Sequence, residues 1–386
     1  MTEATDNSRS EGEAERAAQV DDLIAAGLYD PESPDAPARL ELFEYLMELG
    51  VSIPEMVRAE HGLLSLAAFR SVRQEADRCT FAEAAEQAGV DHAFALRVWR
   101  AAGFPDPRPH ERNFNERDVS MLSLARTLQR LVGTDLVVQL MRTIGESTAR
   151  IAEAEIALLR ANIEAPLVAE QQLVAVARAY VTVAEQVLPR VVDAIDTLHR
   201  HHIEMIGRRY SDAGTVPSAA NLAYLAVGFA DLAGYTGLSQ ELDPADLGAL
   251  LSSFEEVTGD VIAAAGAHVV KRIGDAVMFV TSAPGIACAV ALDLIDACAK
   301  QRLPRLRIGL AFGQVIVRQG DFHGPTVNLS ARLVTAAEPG VVLTDGSLAQ
   351  RLSRLDDRLS FHPAGRYTLA GFAEPVDAYQ LLRAHV

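Results

Sequence analysis

The chain has 386 residues, of which 49% are hydrophobic and 23% charged, and it carries a net charge of −17 at pH 7. That length suits two or three domains with cores of their own, and the composition is that of a globular protein. The acidity argues against nucleic acid as a partner bound through an overall basic field. No apolar run approaches ~18 residues, so no membrane span is expected.

Residues 1–36 are polar and acidic, with Glu3, Asp6, Glu11, Glu13 and Glu15, and lack the basic and apolar regions of a signal peptide. They read as a mobile tail of a cytoplasmic protein. Residues 37–210 have helical periodicity and form an all-α domain. Thr134-Asp135 can cap a long helix after Gly133. Pro166 and Pro189 mark helix starts or kinks, and the Ala/Val-rich stretch from Val168 to Arg209 reads as one long, bent helix. The three cysteines, Cys79, Cys288 and Cys298, lack metal-ligand spacing and read as buried free thiols.

Phe81 to Asp91, followed by Ala93 to Ala102, has a helix-turn-helix cadence, and Asp118-Val119 beyond it adds a likeness to winged-helix regulators. DNA binding needs a basic face. Ser71 to Asp118 holds seven Arg and no Lys against nine Asp and Glu, which favours a reused helical scaffold. At the end of the helical half His199, His201 and His202 precede Glu204, Arg208 and Arg209. Three histidines there suit a switch that changes charge near pH ~6.5; a solvated basic helix end accounts for them equally well. The helices also have the composition to enclose an apolar regulatory ligand. Residues 211–219 are a linker by composition.

From residue 220 to 386 strands and helices alternate. The order is a strand at 222–230, a helix opened by Asp243 with Pro244 at its first position, a hairpin at 267–280, a helix at 285–300 and a strand at 305–317. A helix from Thr326 to Ala337 and three short strands follow. This order predicts an α/β (α+β) sandwich of ferredoxin-like type.

Three segments of this half carry chemistry. Asp231 ends the apolar strand in Phe229-Ala230-Asp231-Leu232-Ala233-Gly234-Tyr235-Thr236, and Asp275 sits at the hairpin turn in Lys271-Arg272-Ile273-Gly274-Asp275-Ala276. Two such carboxylates are hard oxygen ligands suited to Mg²⁺ or Mn²⁺. Asn328 and Arg332, four apart, share one helical face. An amide and a guanidinium presented together suit a ribose oxygen and a phosphate in transition.

In order and spacing these segments, with Asp321 heading the third, resemble the catalytic domain of class III adenylate cyclases. The arrangement beside a helical half resembles soluble mycobacterial-type members with an N-terminal regulatory domain. The resemblance implies that Asp231, Asp275 and the Leu232 backbone carbonyl hold two divalent ions per site. It implies that Lys271 and Asp321 read adenine, a donor and an acceptor that oppose guanine. Asn328 would position the ribose, Arg332 would stabilise charge on the α-phosphate, and ATP would become cyclic AMP and pyrophosphate. It implies a homodimer with sites built from both chains. One departure stands out: Leu369-Ala370-Gly371 lacks the basic residue that many members place before this glycine, and Arg366 is the nearby candidate to replace it. His323, inside the third segment, reads as a structural loop residue. The rival readings are a nucleotide sensor with weak or no catalysis and a DNA-binding regulator. The complete site set disfavours the first and the acidic helical half the second.

Overall fold

A computed structural model of the chain describes residues 16–59, 62–73, 78–212 and 221–384. The first fifteen residues of the expected tail, residues 213–219 of the expected linker and residue 220 lie outside these. The chain forms two compact units, Met1–Arg200 and His201–Val386.

The first unit is helical. Residues 16–25 form α1, and Leu23 on it is fully buried in one core with Phe43, Leu46 and Met56. The stretch expected to be a mobile tail is therefore partly structural. That core is completed by α2 (Ala36–Glu48), α3 (Ile53–Ala59) and α4 (Leu63–Arg73). A second core joins α5 (Phe81–Gln87), α6 (His92–Ala101), α7 (Glu116–Val132) and α8 (Thr134–Leu159). Capping boxes start α5, through Thr80 and Glu83, and α7, through Asn115 and Asp118. The expected Thr134 cap of α8 is not made. Gly133 is the N-cap with no side-chain bond, and the Thr134 hydroxyl accepts from Gln129 instead.

The expected long helix after Val168 is interrupted. A π-helical turn, Arg160–Glu164, leads into α9 (Ala165–Ala169), and the chain breaks at Glu170–Gln172, where Gln171 has φ 57°. Next come α10 (Leu173–Thr182), a second π-turn (Val183–Val187) and α11 (Leu188–Asp212). Pro189 lies two residues past that π-turn; lacking an N–H, it suits a place where the helical ladder is already widened.

The second unit is an eight-stranded sheet with helices on both faces. Its elements are β1 (Leu222–Leu232), α12 (Tyr235–Glu241), α13 (Pro244–Ala264), β2 (His268–Ile273), β3 (Ala276–Thr281), α14 (Pro284–Lys300), β4 (Leu306–Arg318), β5 (Asp321–His323), α15 (Pro325–Ala336), β6 (Val342–Asp345), α16 (Gly346–Leu352), β7 (Leu359–Tyr367) and β8 (Val376–Arg383). The sheet order is β2-β3-β1-β4-β6-β8-β7, with β5 beside β4. The first four strands, spatially β4-β1-β3-β2 and antiparallel, make the expected ferredoxin-like βαββαβ core. Strand alternation divides the interior. Ala226, Ala230, Val277, Phe279, Ile308 and Leu310 pack with Phe254 of α13 and the apolar side of α14. Ala223, Leu225, Val227, Met278 and Val315 face the other way, with Val327, Ala331 and Val334 of α15. Asp243 caps α13 by accepting from the Ala245 and Asp246 amides, with Pro244 at the first turn. Cys79, Cys288 and Cys298 are buried free thiols.

Candidate active site

Three pairs of the side chains singled out above lie in the second unit. The first is Asp231 with Asp275. Asp231 is the second-last residue of β1 and lies opposite Ala276, the first residue of β3, so register alone brings the hairpin turn to the strand end. Gly274 makes that turn at φ 59°, where a side chain would be strained. The Leu232 amide donates to the Asp275 carbonyl at 3.2 Å and fixes the turn against the strand. Burial, and then the Asp275 charge, push the Asp231 carboxyl up to about 6, against the opposing pull of Arg307.

Arg307 was not singled out from the sequence. It stands opposite Asp231 in the β1–β4 ladder, and its Nε is buried with no hydrogen-bond partner. The available signal was one cation at the head of the apolar strand Leu306-Arg307-Ile308-Gly309.

The second pair is Lys271 with Asp321, 50 residues apart. Lys271 Nζ donates to Asp321 Oδ2, and the Phe322 amide donates to Asp321 Oδ1 at 2.8 Å. Burial works to raise the Asp321 pKa, but these bonds and the Lys271 charge outweigh it and hold the carboxyl below its usual range. His323, exposed on β5, adds to that lowering.

The third pair, Asn328 and Arg332, lies on the exposed face of α15. Arg332 Nε donates to the Ala370 carbonyl at 3.1 Å. Where the resemblance led one to expect a basic side chain at 370, the segment supplies a backbone oxygen that orients Arg332. Arg366 pairs with Asp377 at 3.2 Å, so it is already engaged. Among the described residues no hydrogen bond or ion pair joins any one of the three pairs to another.

The donor set of the first pair fits a divalent cation. Two carboxylates crowd each other with one guanidinium near them, and a hard cation would relieve that repulsion. No group of three or more His, Cys, Asp or Glu side chains suits a metal among the described residues, so the pair would leave further coordination positions to other oxygens.

His199, His201 and His202 are exposed on α11, beside the ion pairs Arg200–Asp196 at 2.8 Å and Arg208–Glu204. The helix-turn-helix cadence is realised by α5 and α6, but its arginines are matched: Arg97 with Asp135 at 3.0 Å, Arg100 with Asp106 at 2.6 Å and Arg112 with Glu83 at 3.0 Å. Those pairings leave little of the basic face that phosphate contacts require. Both π-turns border a largely apolar cavity of about 700 Å³ between α4, α8, α10 and α11. Its polar edge is Tyr180, which donates to Glu164 at 2.5 Å.

Residues 217–383 match the family of adenylate and guanylate cyclase catalytic domains, and residues 14–204 match the adenylate cyclase regulatory domain. An adenylate cyclase of Streptomyces coelicolor is 36% identical over 284 residues, 72% of this chain and 73% of its own. The chain belongs to the class III adenylate cyclases. An uncharacterised protein of Mycobacterium tuberculosis is 38% identical over 370 residues, 94% of this cyclase and 93% of its own length. A pH-sensitive adenylate cyclase of the same species is 28% identical over 375 residues, covering 95% and 92%.

Proposed function

We propose that this cyclase converts ATP to 3′,5′-cyclic AMP and pyrophosphate at sites built by two copies of the chain. The observation that carries the reading is the Asp231–Asp275 pair, brought together where the end of β1 meets the β2–β3 turn, with the Asp275 charge opposing that of Asp231. A structural cap has no need of that repulsion.

Asp231, Asp275 and the Leu232 carbonyl would hold two divalent ions, Mg²⁺ or Mn²⁺. Bound there, the ions supply positive charge beside the 3′-oxygen and the triphosphate. Lys271 donates to a ring nitrogen of adenine and Asp321 accepts from the exocyclic amine. Their mutual ion pair keeps both aligned before nucleotide arrives. Asn328 orients the ribose, and Arg332 donates to the α-phosphate as charge builds on it. Arg307, opposite Asp231 in the ladder, places positive charge beside the acid pair and favours its carboxylate form. The 3′-oxygen bonds to the α-phosphorus, its proton leaves, and the bond to the β-phosphate oxygen breaks to release pyrophosphate. Among the described residues no hydrogen bond or ion pair joins the acid pair to Asn328 or Arg332, and in this reading the acid pair of one copy meets the Asn328/Arg332 pair of the other.

The test is the purified protein with ATP or GTP and Mn²⁺ or Mg²⁺, the cyclic product being separated by chromatography. Cyclic AMP is expected; equal use of GTP would refute the roles of Lys271 and Asp321.

The helical unit acts as the regulator, through His199, His201 and His202 or through a ligand in the apolar cavity. Replacing the three histidines by Gln should flatten a steep pH response between roughly pH 5.5 and 7.5. An unchanged profile would assign any such response elsewhere.

A further inference from the structure

The residues that would meet the ribose and the α-phosphate are exposed, so their precision depends on how α15 is seated on the sheet. Helix and sheet meet there at backbone distance. A Cβ on Gly309 would lie 2.9 Å from the Leu333 carbonyl carbon, and closer still to the Val334 nitrogen and the Ser330 oxygen. A Cβ on Gly313 would come to 2.7 Å from Thr326 Oγ1. Two hydroxyls tie the same surfaces. Thr326 Oγ1 donates to the Gln314 carbonyl at 2.8 Å. The fully buried Ser330 hydroxyl lies 2.8 Å from the Gly309 carbonyl of β4 and 3.0 Å from the Val227 carbonyl of β1, and its one proton is shared between them. The lengths agree: four strand residues span roughly 13 Å and eight helical residues roughly 12 Å. Thr326 therefore meets β4 at Gly313, and Ser330 and Val334 meet it at Gly309. Asn328 lies two residues from both Thr326 and Ser330, on the opposite side of the helix.

We propose that Gly309 and Gly313 of β4 are positioning residues for the cyclase reaction: their missing side chains let α15 sit on the sheet at the height that Asn328 and Arg332 require. The proposal rests on the reading of Asn328 and Arg332 as groups that touch nucleotide. Bulk at Gly313 lifts the start of α15 and with it Asn328. Misplacement of that kind lowers turnover and leaves ground-state affinity nearly unchanged.

The decisive comparison is among Gly313→Ala, Thr326→Ala and the double variant, in the full-length protein, with kcat and KM for ATP and melting temperature measured for each. Gly313→Ala should lower kcat roughly 10- to 100-fold with KM within about threefold. Thr326→Ala alone should cost a few-fold at most, and in the double variant it should restore kcat, because it removes the atom that the new methyl would strike. Thr326→Val disturbs the same seat more gently, since a methyl cannot come within 2.8 Å of the Gln314 oxygen; it should lower kcat several-fold and decides the matter if Gly313→Ala does not fold. Wild-type kcat in Gly313→Ala or, failing that, in Thr326→Val overturns the inference. So does a kcat loss in Gly313→Ala that Thr326→Ala does not relieve. A wild-type protein that makes no cyclic nucleotide would instead overturn the functional reading beneath it.

Discussion

Asp231 titrates in an unusual range because burial and Asp275 both oppose its charge. The sign of the consequence is definite. Its folded pKa, about 6, lies above the ordinary 3.8, so the metal-free fold favours the protonated acid. The stability this contributes is complete below pH ~4 and is lost as pH rises through about 6. Metal binding requires the carboxylate, so divalent affinity should fall as pH drops below about 6. Titration with Mn²⁺ at several pH values measures it. Asp231→Asn should abolish Mn²⁺ binding at the pair while raising the melting temperature of the metal-free protein more at pH 7.5 than at pH 5. A variant that binds Mn²⁺ like the wild type would remove Asp231 from the metal site. The two aspartates were legible because each breaks an apolar run beside a strand end or glycine. Arg307 was not, because its relation to Asp231 exists only in the β1–β4 register, and register is invisible in a linear reading.

Among the elements, those with a local chemical start were read most closely. Asp243-Pro244 opens α13 where expected, since the cap bonds lie within three residues. Replacing Asp243 by Ala should cost about 1 kcal/mol, measurable as a lower denaturant midpoint; an unchanged midpoint would mean that tertiary packing alone holds that helix end. Thr134 misled for the complementary reason. Gly133 occupies the cap position, and the Thr134 hydroxyl is already accepting from Gln129. Pro166 and Pro189, each two residues past a π-turn, were the residue signal for those two interruptions, and the break at Gln171 falls in the polar stretch Glu170-Gln171-Gln172. Residues of both π-turns line the same apolar cavity. The helix at residues 16–25 was hidden by the acidic surroundings of its one fully buried residue, Leu23.

For the molecule as a whole, the proposed sharing of each site between two copies has a direct test. Asp231→Ala and Arg332→Ala chains should each be inactive. In a heterodimer, one site receives Asp231 from one chain and Arg332 from the other and is intact, while the second site carries both lesions. Co-expression should restore up to about half the wild-type activity per heterodimer, and dilution below the dimer dissociation constant should remove it. Heterodimers verified by mass that stay inactive would exclude shared sites of this kind.

The Ser330 hydroxyl, held between the carbonyls of β1 and β4, has a kinetic corollary. When two chains share sites, the β1 of one chain serves one site and its α15 serves the other, so one stiff joint inside each chain belongs to both. In such a dimer, nucleotide binding at one acid pair should strain that joint and so alter affinity at the neighbouring site. Such crosstalk is reciprocal by thermodynamic necessity. Saturation by ATP should then depart from a hyperbola in the wild-type pair and follow one in the half-dead heterodimer, whose second site has nothing left to answer with.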